Sequence, residues 1–163
     1  MTIRLCKIVL TACSGLFLLL VVFNNLTDYD SNYQFIRHVL GMDTTFPGNS
    51  GMWRAISRPA IYRVFYATII AWEAAAGALI GAGAWRLLRA RAASAESCGR
   101  AKGLAAAGLT LSLVQWYFAF LTVWGEWFLM WQSKIWNGQE AAFRIFAVMG
   151  LSLIFLCLRD AEP

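Results

Sequence analysis

One carboxyl group in the middle of a long apolar stretch is the first feature of this chain that could do chemistry. Between Val64 and Trp85, Glu73 is the only side chain that carries a charge. A carboxyl group inside a bilayer is costly, and residues of this kind commonly bind ions, protons or ligands. A second apolar stretch contains Ser112 and Gln115, one helical turn apart. We take Glu73, Gln115 and Ser112 as a candidate intramembrane polar site.

Helix geometry predicts that the acid and the amide lie at the same depth. Glu73 is 13 residues from Arg86, and Gln115 is 13 residues from Lys102. At about 1.5 Å of rise per residue, each polar side chain lies about 20 Å from its basic anchor. If the two spans are adjacent and antiparallel, a hydrogen bond between the side chains satisfies both. Two interpretations stay open: a structural hydrogen bond within the bundle, which is favoured, and a site that handles a proton or a ligand.

A second polar group of residues lies in the longest polar segment, residues 27–58. His38 is the only histidine of the chain, and Asp43, Thr44 and Thr45 follow it. These four are candidate contact residues of this loop. Capping of a turn is the favoured role for the aspartate and the threonines, and contact with a partner is the alternative. Because no histidine–cysteine cluster or nucleophile motif occurs, we expect no catalytic residue, no metal site and no cofactor.

The elements that must position these side chains are long apolar segments. The chain has 163 residues, of which 60% are hydrophobic and 14% charged, whereas soluble domains have about 25% charged residues. About 20 apolar residues cross a bilayer, and four such stretches are present, at about 5–26, 60–87, 103–128 and 141–158. We therefore predict an all-α membrane protein, a four-transmembrane-helix bundle that forms a single domain over 1–163. The first stretch also resembles a signal peptide, but its length favours a retained helix.

The outer loop, residues 27–58, is predicted to contain a short amphipathic helix over Asn32–Leu40. Ser31 and Gln34 have the spacing of a capping box, and Gly41 suits the left-handed position that ends a helix. We expect this helix to lie on the end of the bundle or on the membrane surface.

Two glycines of the second span, Gly77 and Gly81, are four residues apart and share one helix face. Such a pair lets another helix approach closely, so we expect it to pack helices together. The small residues that begin the third span, from Gly103 to Thr110, are the expected partner face. Packing within the chain is favoured over dimerisation.

The basic residues predict the orientation of the bundle. The net charge is +5, and the densest basic loop connects the second and third spans, which favours two cytoplasmic termini. Membrane lipid is the expected partner, and no basic stripe points to nucleic acid. At the outer ends of the spans, we expect Glu126 to pair with Arg63 or Arg144. We expect no role for the tail after Arg159.

Three segments carry a resemblance to a known family. They are NNLTDYDSNYQFIRHVLGMDTTFPGN (Asn24–Asn49), MWRAI (Met52–Ile56) and AWEAAAG around Glu73. They resemble the bacterial predicted small integral membrane proteins, domain-of-unknown-function family 2165, and the run His38–Phe46 is the most specific part. The resemblance covers most of the chain and implies four transmembrane helices in a bacterial inner membrane. It implies no known activity and no catalytic residues.

Two classes of function stay open, and neither is clearly an enzyme. The first, favoured by small size and absent catalytic groups, is a non-enzymatic accessory or scaffold subunit of a larger membrane complex. The second is a small transporter or proton-coupled permease that uses Glu73. Other membrane-protein subunits and self-association are the expected protein partners.

Overall fold

The computed structural model describes residues 2–160, and this range contains helices and no strand. Four helical segments are long and apolar enough to cross a membrane, which confirms the predicted four-helix bundle. The elements in chain order are α1 (Thr2–Thr27), α2 (Tyr29–Gly41), a 3₁₀ turn (Ser50–Arg54), α3 (Pro59–Arg89), α4 (Ala95–Ala101), α5 (Gly103–Val114), a π-helix (Gln115–Trp127), a second 3₁₀ turn (Met130–Gln132) and α6 (Gln139–Cys157).

The four spans form a closed bundle. Helix α1 packs against α3, α3 against α5, α5 and the π-helix against α6, and α6 returns to α1. We call the end that carries α2 the α2 end, and the end where α1 begins and α6 stops the terminal end. Helix α2 packs on α3 at the α2 end, where Ile36 and Leu40 join the core beside Tyr66.

The glycines of α3 pack against a different helix from the one predicted. A Cβ at Gly15 of α1 would lie 3.1 Å from the backbone nitrogen of Gly81 and 3.4 Å from the carbonyl of Gly77. The Gly77–Gly81 face therefore meets α1, and the expectation that it meets the third span is wrong. That span approaches a different face of α3, where a Cβ at Gly83 would lie 2.3 Å from the backbone nitrogen of Ala105 and a Cβ at Gly108 would lie 2.8 Å from the backbone nitrogen of Ile80.

Helix α2 begins earlier than predicted and without a capping box. Its first residue is Tyr29, and Asp28 precedes it as the N-cap. The hydroxyl of Ser31 donates to Asp28 Oδ2 over 2.8 Å instead of capping the backbone. The left-handed position after the helix belongs to Met42, with φ of 52°, and Gly41 is still helical. Only one residue separates α1 from α2, so the chain reverses sharply at the α2 end.

The second half of the third span is a π-helix, Gln115–Trp127, of 13 residues. Its hydrogen bonds join residues five apart, as the backbone N–H of Phe128 shows by donating to the carbonyl of Val123 over 3.1 Å. The hydroxyl of Thr122 follows the same spacing and donates to the carbonyl of Tyr117. Such helices are rare and usually only one turn long, and the apolar pattern of the sequence predicted an ordinary α-helix here.

The terminal end is closed by a buried ion pair. Lys7 Nζ lies 2.8 Å from Asp160 Oδ1, and each side chain is 2% exposed. Lys102 Nζ lies 2.5 Å from Asp160 Oδ2. Burial alone would raise the pKa of Asp160, but its contacts with Lys102 and Lys7 outweigh burial, and its pKa lies below the ordinary value. The expectation that the tail after Arg159 has no role is therefore wrong.

Candidate functional site

Both carboxyl oxygens of Glu73 accept a hydrogen bond from an amide. The residue is 1% exposed. Asn25 Nδ2 of α1 lies 2.8 Å from Oε2, and Gln115 Nε2, at the start of the π-helix, lies 3.3 Å from Oε1. The structure thus brings Glu73 and Gln115 together, and α1 also contributes to the site through Asn25. A donor on each oxygen suits the ionised carboxylate, which can only accept hydrogen bonds.

The hydrogen bonds continue from Glu73 to the surface of α2. Asn25 Oδ1 accepts from Nδ2 of Asn32 over 2.6 Å, and the side chain of Asn32 is exposed. The hydroxyl of Tyr66 donates to the backbone carbonyl of Asn25 over 3.0 Å. Because these bonds fix both the side chain and the backbone of Asn25, its amide N–H stays directed at Glu73.

The contact with Asn25 also fixes the height of the carboxyl group in the bundle. Asn25 lies two residues before Thr27, where α1 ends. Glu73 therefore lies level with the last turn of α1, although it is 14 residues from Pro59, the first residue of α3. The depth of about 20 Å estimated from Arg86 and Lys102 is measured from the terminal end. The contact with Asn25 shows that Glu73 also lies close to the α2 end.

Between Glu73 and α2 lies a partly open cavity of about 230 Å³. Helices α1, α2, α3 and α6 and the π-helix all contribute to its walls. Its aromatic lining residues are Phe35, Tyr66, Trp116, Phe120 and Trp124. Three of these follow one another along the π-helix at four-residue spacing, with ring centroids 4.5 Å and 4.6 Å apart. The cavity is therefore a small aromatic pocket with polar groups at its base.

Glu73 is the only charged side chain among the residues that line this cavity. The ion pairs within residues 2–160 join other residues, and none of them includes Glu73. A buried charge is normally paired or bound to a ligand, because leaving it alone in a low dielectric is costly. The bundle supplies hydrogen bonds to this carboxyl group but no positive charge.

Three buried polar atoms of Gln115 and of its neighbours along the third span have no hydrogen-bond partner within the described chain. They are Gln115 Oε1, Ser112 Oγ and Trp116 Nε1. Ser112 is fully buried and, although predicted with Glu73, is not joined to it by a hydrogen bond. Trp116 is 7% exposed and lines the cavity. A buried N–H without an acceptor costs about 1–3 kcal/mol, so Trp116 Nε1 needs an acceptor that the described chain does not supply.

The candidate residues of the outer loop are engaged within the chain. His38 Nδ1 lies 2.8 Å from Asp43 Oδ2, and its ring stacks on Trp136 with centroids 4.6 Å apart. Thr44 donates to the hydroxyl of Ser133 over 2.8 Å, and Thr45 donates to the carbonyl of Met42. These contacts hold α2 and its following turn onto the loop before α6, and they do not reach Glu73.

The ion pair expected at the α2 end does not form. Glu126 makes no ion pair with Arg63 or Arg144 in the described part of the chain. Its backbone carbonyl lies 3.5 Å from Arg54 Nη1, and the guanidinium carbon of Arg54 lies 5.4 Å and 5.2 Å from the ring centroids of Trp53 and Trp127. All three predicted partners are exposed, so Arg144 stays available to other groups.

Asn25 and Asn32 were not among the site residues predicted from the sequence. The predicted first span, 5–26, already included Asn25, and a polar amide at that position was the available signal. Asn32 gave no signal, because its role depends on α2 folding back over the bundle.

Comparisons with known proteins identify a family and nothing narrower. The family model described as predicted small integral membrane protein, domain of unknown function 2165, matches residues 3–159. No curated protein matches the chain, and no solved structure matches it. The site is therefore interpreted from its own geometry.

Proposed function

We propose that this chain, which belongs to the family of predicted small integral membrane proteins, domain-of-unknown-function family 2165, binds a small cationic group in its membrane-embedded cavity. Glu73 holds the positive charge at the base of the aromatic pocket. The protein is then a ligand-binding membrane protein and not an enzyme, since no acid–base pair or nucleophile accompanies the carboxyl group.

The observation that carries this proposal is the buried carboxyl group without a counter-charge. Asn25 and Gln115 donate to its two oxygens, which stabilises the anion but leaves its charge unbalanced. A bound cation supplies the missing charge in a site already shaped for the carboxylate.

The aromatic walls favour an organic cation over a metal ion. Trp116, Phe120 and Trp124 line the cavity, and each ring attracts a positive charge by about 0.5–2 kcal/mol when water is excluded. Hard metal ions instead require several oxygen ligands. Among residues 2–160, no group of three or more acids, histidines or cysteines could hold a metal. An ammonium group fits both the rings and the single carboxylate.

A proton is the competitor of the ligand at this site. If Glu73 is protonated, it needs an acceptor for its hydroxyl, and Gln115 Oε1 has no partner. A half-turn of the Gln115 amide presents that oxygen to the neutral acid, since the two ends of an amide have nearly the same shape. The pair can therefore hold either a proton or an ammonium group, which is the exchange that a proton-coupled permease requires.

The cellular role of this binding depends on the orientation of the bundle and on whether the protein acts as an accessory subunit or as a transporter. The basic connector between α3 and α5 favours a cytoplasmic terminal end and an α2 end that faces outward from an inner membrane. The favoured sequence-based prediction, an accessory subunit of a membrane complex, is compatible with ligand binding. A homo-oligomer in native mass measurement after mild detergent extraction would instead favour the transporter.

Thermal unfolding in detergent tests the proposal with tetramethylammonium as the probe. At a concentration of ten times Kd, a bound ligand stabilises a protein by about 1.4 kcal/mol. We expect tetramethylammonium chloride to raise the Tm of the wild type by about 3 °C over sodium chloride at equal ionic strength. Glu73→Gln should abolish this difference, and Glu126→Gln, which changes an exposed acid at the same end, should keep it.

Chemical labelling of the wild type gives a second test that does not depend on a variant folding. A hydrophobic carbodiimide reacts with carboxyl groups in membrane interiors, and mass spectrometry identifies the modified peptide. We expect Glu73 to be modified, and tetramethylammonium to slow the modification. Equal Tm shifts in all three proteins, together with labelling that the probe does not slow, would overturn the proposal.

A further inference from the structure

We infer that the ammonium group held by Glu73 belongs to a membrane lipid, a phospholipid with a zwitterionic ammonium headgroup. The inference rests on the proposed function, because it names the source of the cation that Glu73 binds. The lipid phosphate lies at Arg144, and an acyl chain lies in a groove between α1 and α6.

The groove is the first part of the argument. It has a volume of about 440 Å³ and lies between Phe17 of α1 and a face of α6. Apart from Arg144, its lining residues are apolar. Ala141 and Ile145 line both this groove and the Glu73 cavity. The outer surface of the bundle and the cavity are therefore separated by the same two side chains, and a lipid in the groove lies against the wall of the cavity.

The charge of Arg144 is the second part. It lines the groove, its side chain is exposed, and it forms no ion pair among the described residues. Arg144 lies five residues after Gln139, the first residue of α6, so it is about 7.5 Å from the helix end. An arginine at this depth reaches the headgroup region of a bilayer. A phosphate there accepts two parallel hydrogen bonds from its guanidinium group.

The two charges together select the headgroup. Glu73 offers a negative charge in the cavity, and Arg144 offers a positive charge in the adjoining groove. A zwitterionic headgroup presents the complementary pair, an ammonium group and a phosphate joined by a short linker. An anionic lipid without an amine satisfies Arg144 alone, and a soluble ammonium ion satisfies Glu73 alone. Glu73 and Arg144 both lie towards the α2 end, because Glu73 is level with the last turn of α1 and Arg144 is in the second turn of α6.

Native mass spectrometry of lipid titrations tests the inference on the full chain. The probes are palmitoyl-oleoyl phosphatidylethanolamine, the phosphatidylglycerol with the same chains, and tetramethylammonium. We expect the wild type to bind the phosphatidylethanolamine about tenfold more tightly than the phosphatidylglycerol, a difference of about 1.4 kcal/mol. Glu73→Gln and Arg144→Gln should each remove this preference. Arg63→Gln, an exposed arginine at the same end of α3, should leave it unchanged.

The outcomes separate this inference from the proposed function. If tetramethylammonium binds and depends on Glu73, but the lipids bind equally and Arg144→Gln has no effect, the lipid inference is overturned and the proposed function stands. If phosphatidylglycerol binds best and depends only on Arg144, the lipid inference is also overturned. If no ammonium probe binds the wild type, both proposals are overturned. Because Arg144 is exposed, its variant is expected to fold and remains informative if Glu73→Gln does not.

Discussion

Asn25 Nδ2 donates to Glu73 Oε2 over 2.8 Å, across 48 residues of sequence. The bond joins the last turn of α1 to the middle of α3, and it makes Glu73 part of the α2 end. Through Asn32, the same amide group also connects the carboxyl group to α2. One asparagine therefore contributes both to the orientation of the acid and to the attachment of the helix that covers it.

Replacing Asn25 by leucine should lower the stability of the folded protein. The substitution leaves Glu73 Oε2 without its donor, and an unsatisfied buried polar group costs about 1–3 kcal/mol. We expect a drop in Tm of several degrees in detergent, measured by intrinsic tryptophan fluorescence.

The matched control is Asn24→Leu, because Asn24 is the preceding residue and its side chain is exposed. This control should change the free energy of unfolding by less than about 0.5 kcal/mol. Equal shifts for the two variants would show that the Asn25 side chain does not hold Glu73.

Gly83→Ala should destabilise the bundle more than Gly81→Ala. A Cβ at Gly83 would lie 2.3 Å from the backbone nitrogen of Ala105, whereas a Cβ at Gly81 would have no atom within 4 Å. Forcing two backbones apart costs about 1–3 kcal/mol, and alanine in place of an unhindered helical glycine stabilises by up to about 1 kcal/mol. Thermal unfolding of the two variants gives the comparison, and a larger loss at Gly81 would contradict the observed packing.

Asp160→Asn should destabilise the terminal end. It leaves Lys7, which is 2% exposed, without a counter-charge, and removing one partner of a buried ion pair typically costs about 3–5 kcal/mol. We expect a large loss of stability by thermal or denaturant unfolding in detergent. Glu96→Gln breaks the exposed ion pair with Arg100 at the same end, and it should cost less than about 1 kcal/mol. Equal effects of the two variants would contradict the buried pair.

The same aspartate predicts a loss of stability in acid. Its pKa is lower in the folded protein than the ordinary value of 3.8, so its contribution is complete above about pH 4. As the pH falls from about 4 through the folded pKa, the unfolded chain binds more protons than the folded chain, and this stabilisation disappears. A titration of Tm with pH should show a steeper acid decline for the wild type than for Asp160→Asn. Parallel curves would exclude Asp160 as the group responsible.

Cysteine labelling should place the two ends of the bundle on opposite sides of the membrane. Lys134 and Ala92 are exposed at the α2 end and the terminal end respectively. In intact cells, a membrane-impermeant maleimide should label Lys134→Cys but reach Ala92→Cys only after lysis. The native Cys98 is buried, and the unmodified chain measures the background from the other cysteines. The reverse pattern would invert the proposed orientation.

The four spans were predictable from the sequence because a bilayer imposes both length and apolarity on a helix, and those properties are local. The approach of Glu73 to Gln115 was also foreseen, since two antiparallel helices with anchors at the same end bring equal spacings to equal depth. The structure shows the contact, whereas its functional meaning stays a proposal.

The remaining features depend on tertiary packing and had no local signature. Asn25 reaches Glu73 because α1 packs against α3, and Gly77 meets α1 because of the order of the helices around the bundle, which no single span encodes. The π-helix is a further case, since the same apolar residues would form an acceptable α-helix. Asp160 was overlooked because a short polar tail gives no indication of the lysines that enclose it.

Helix α2 forms a roof over the aromatic pocket, and the ring of Phe35 rests directly against the backbone of Gly138, where a Cβ would lie 2.8 Å away. A soluble ligand would reach the pocket past α2, whereas a ligand from the bilayer would reach it past Ala141 and Ile145. Tethering α2 in place should therefore slow the binding of soluble ligands more than the binding of lipids. A comparison of the two binding rates would identify the entry route.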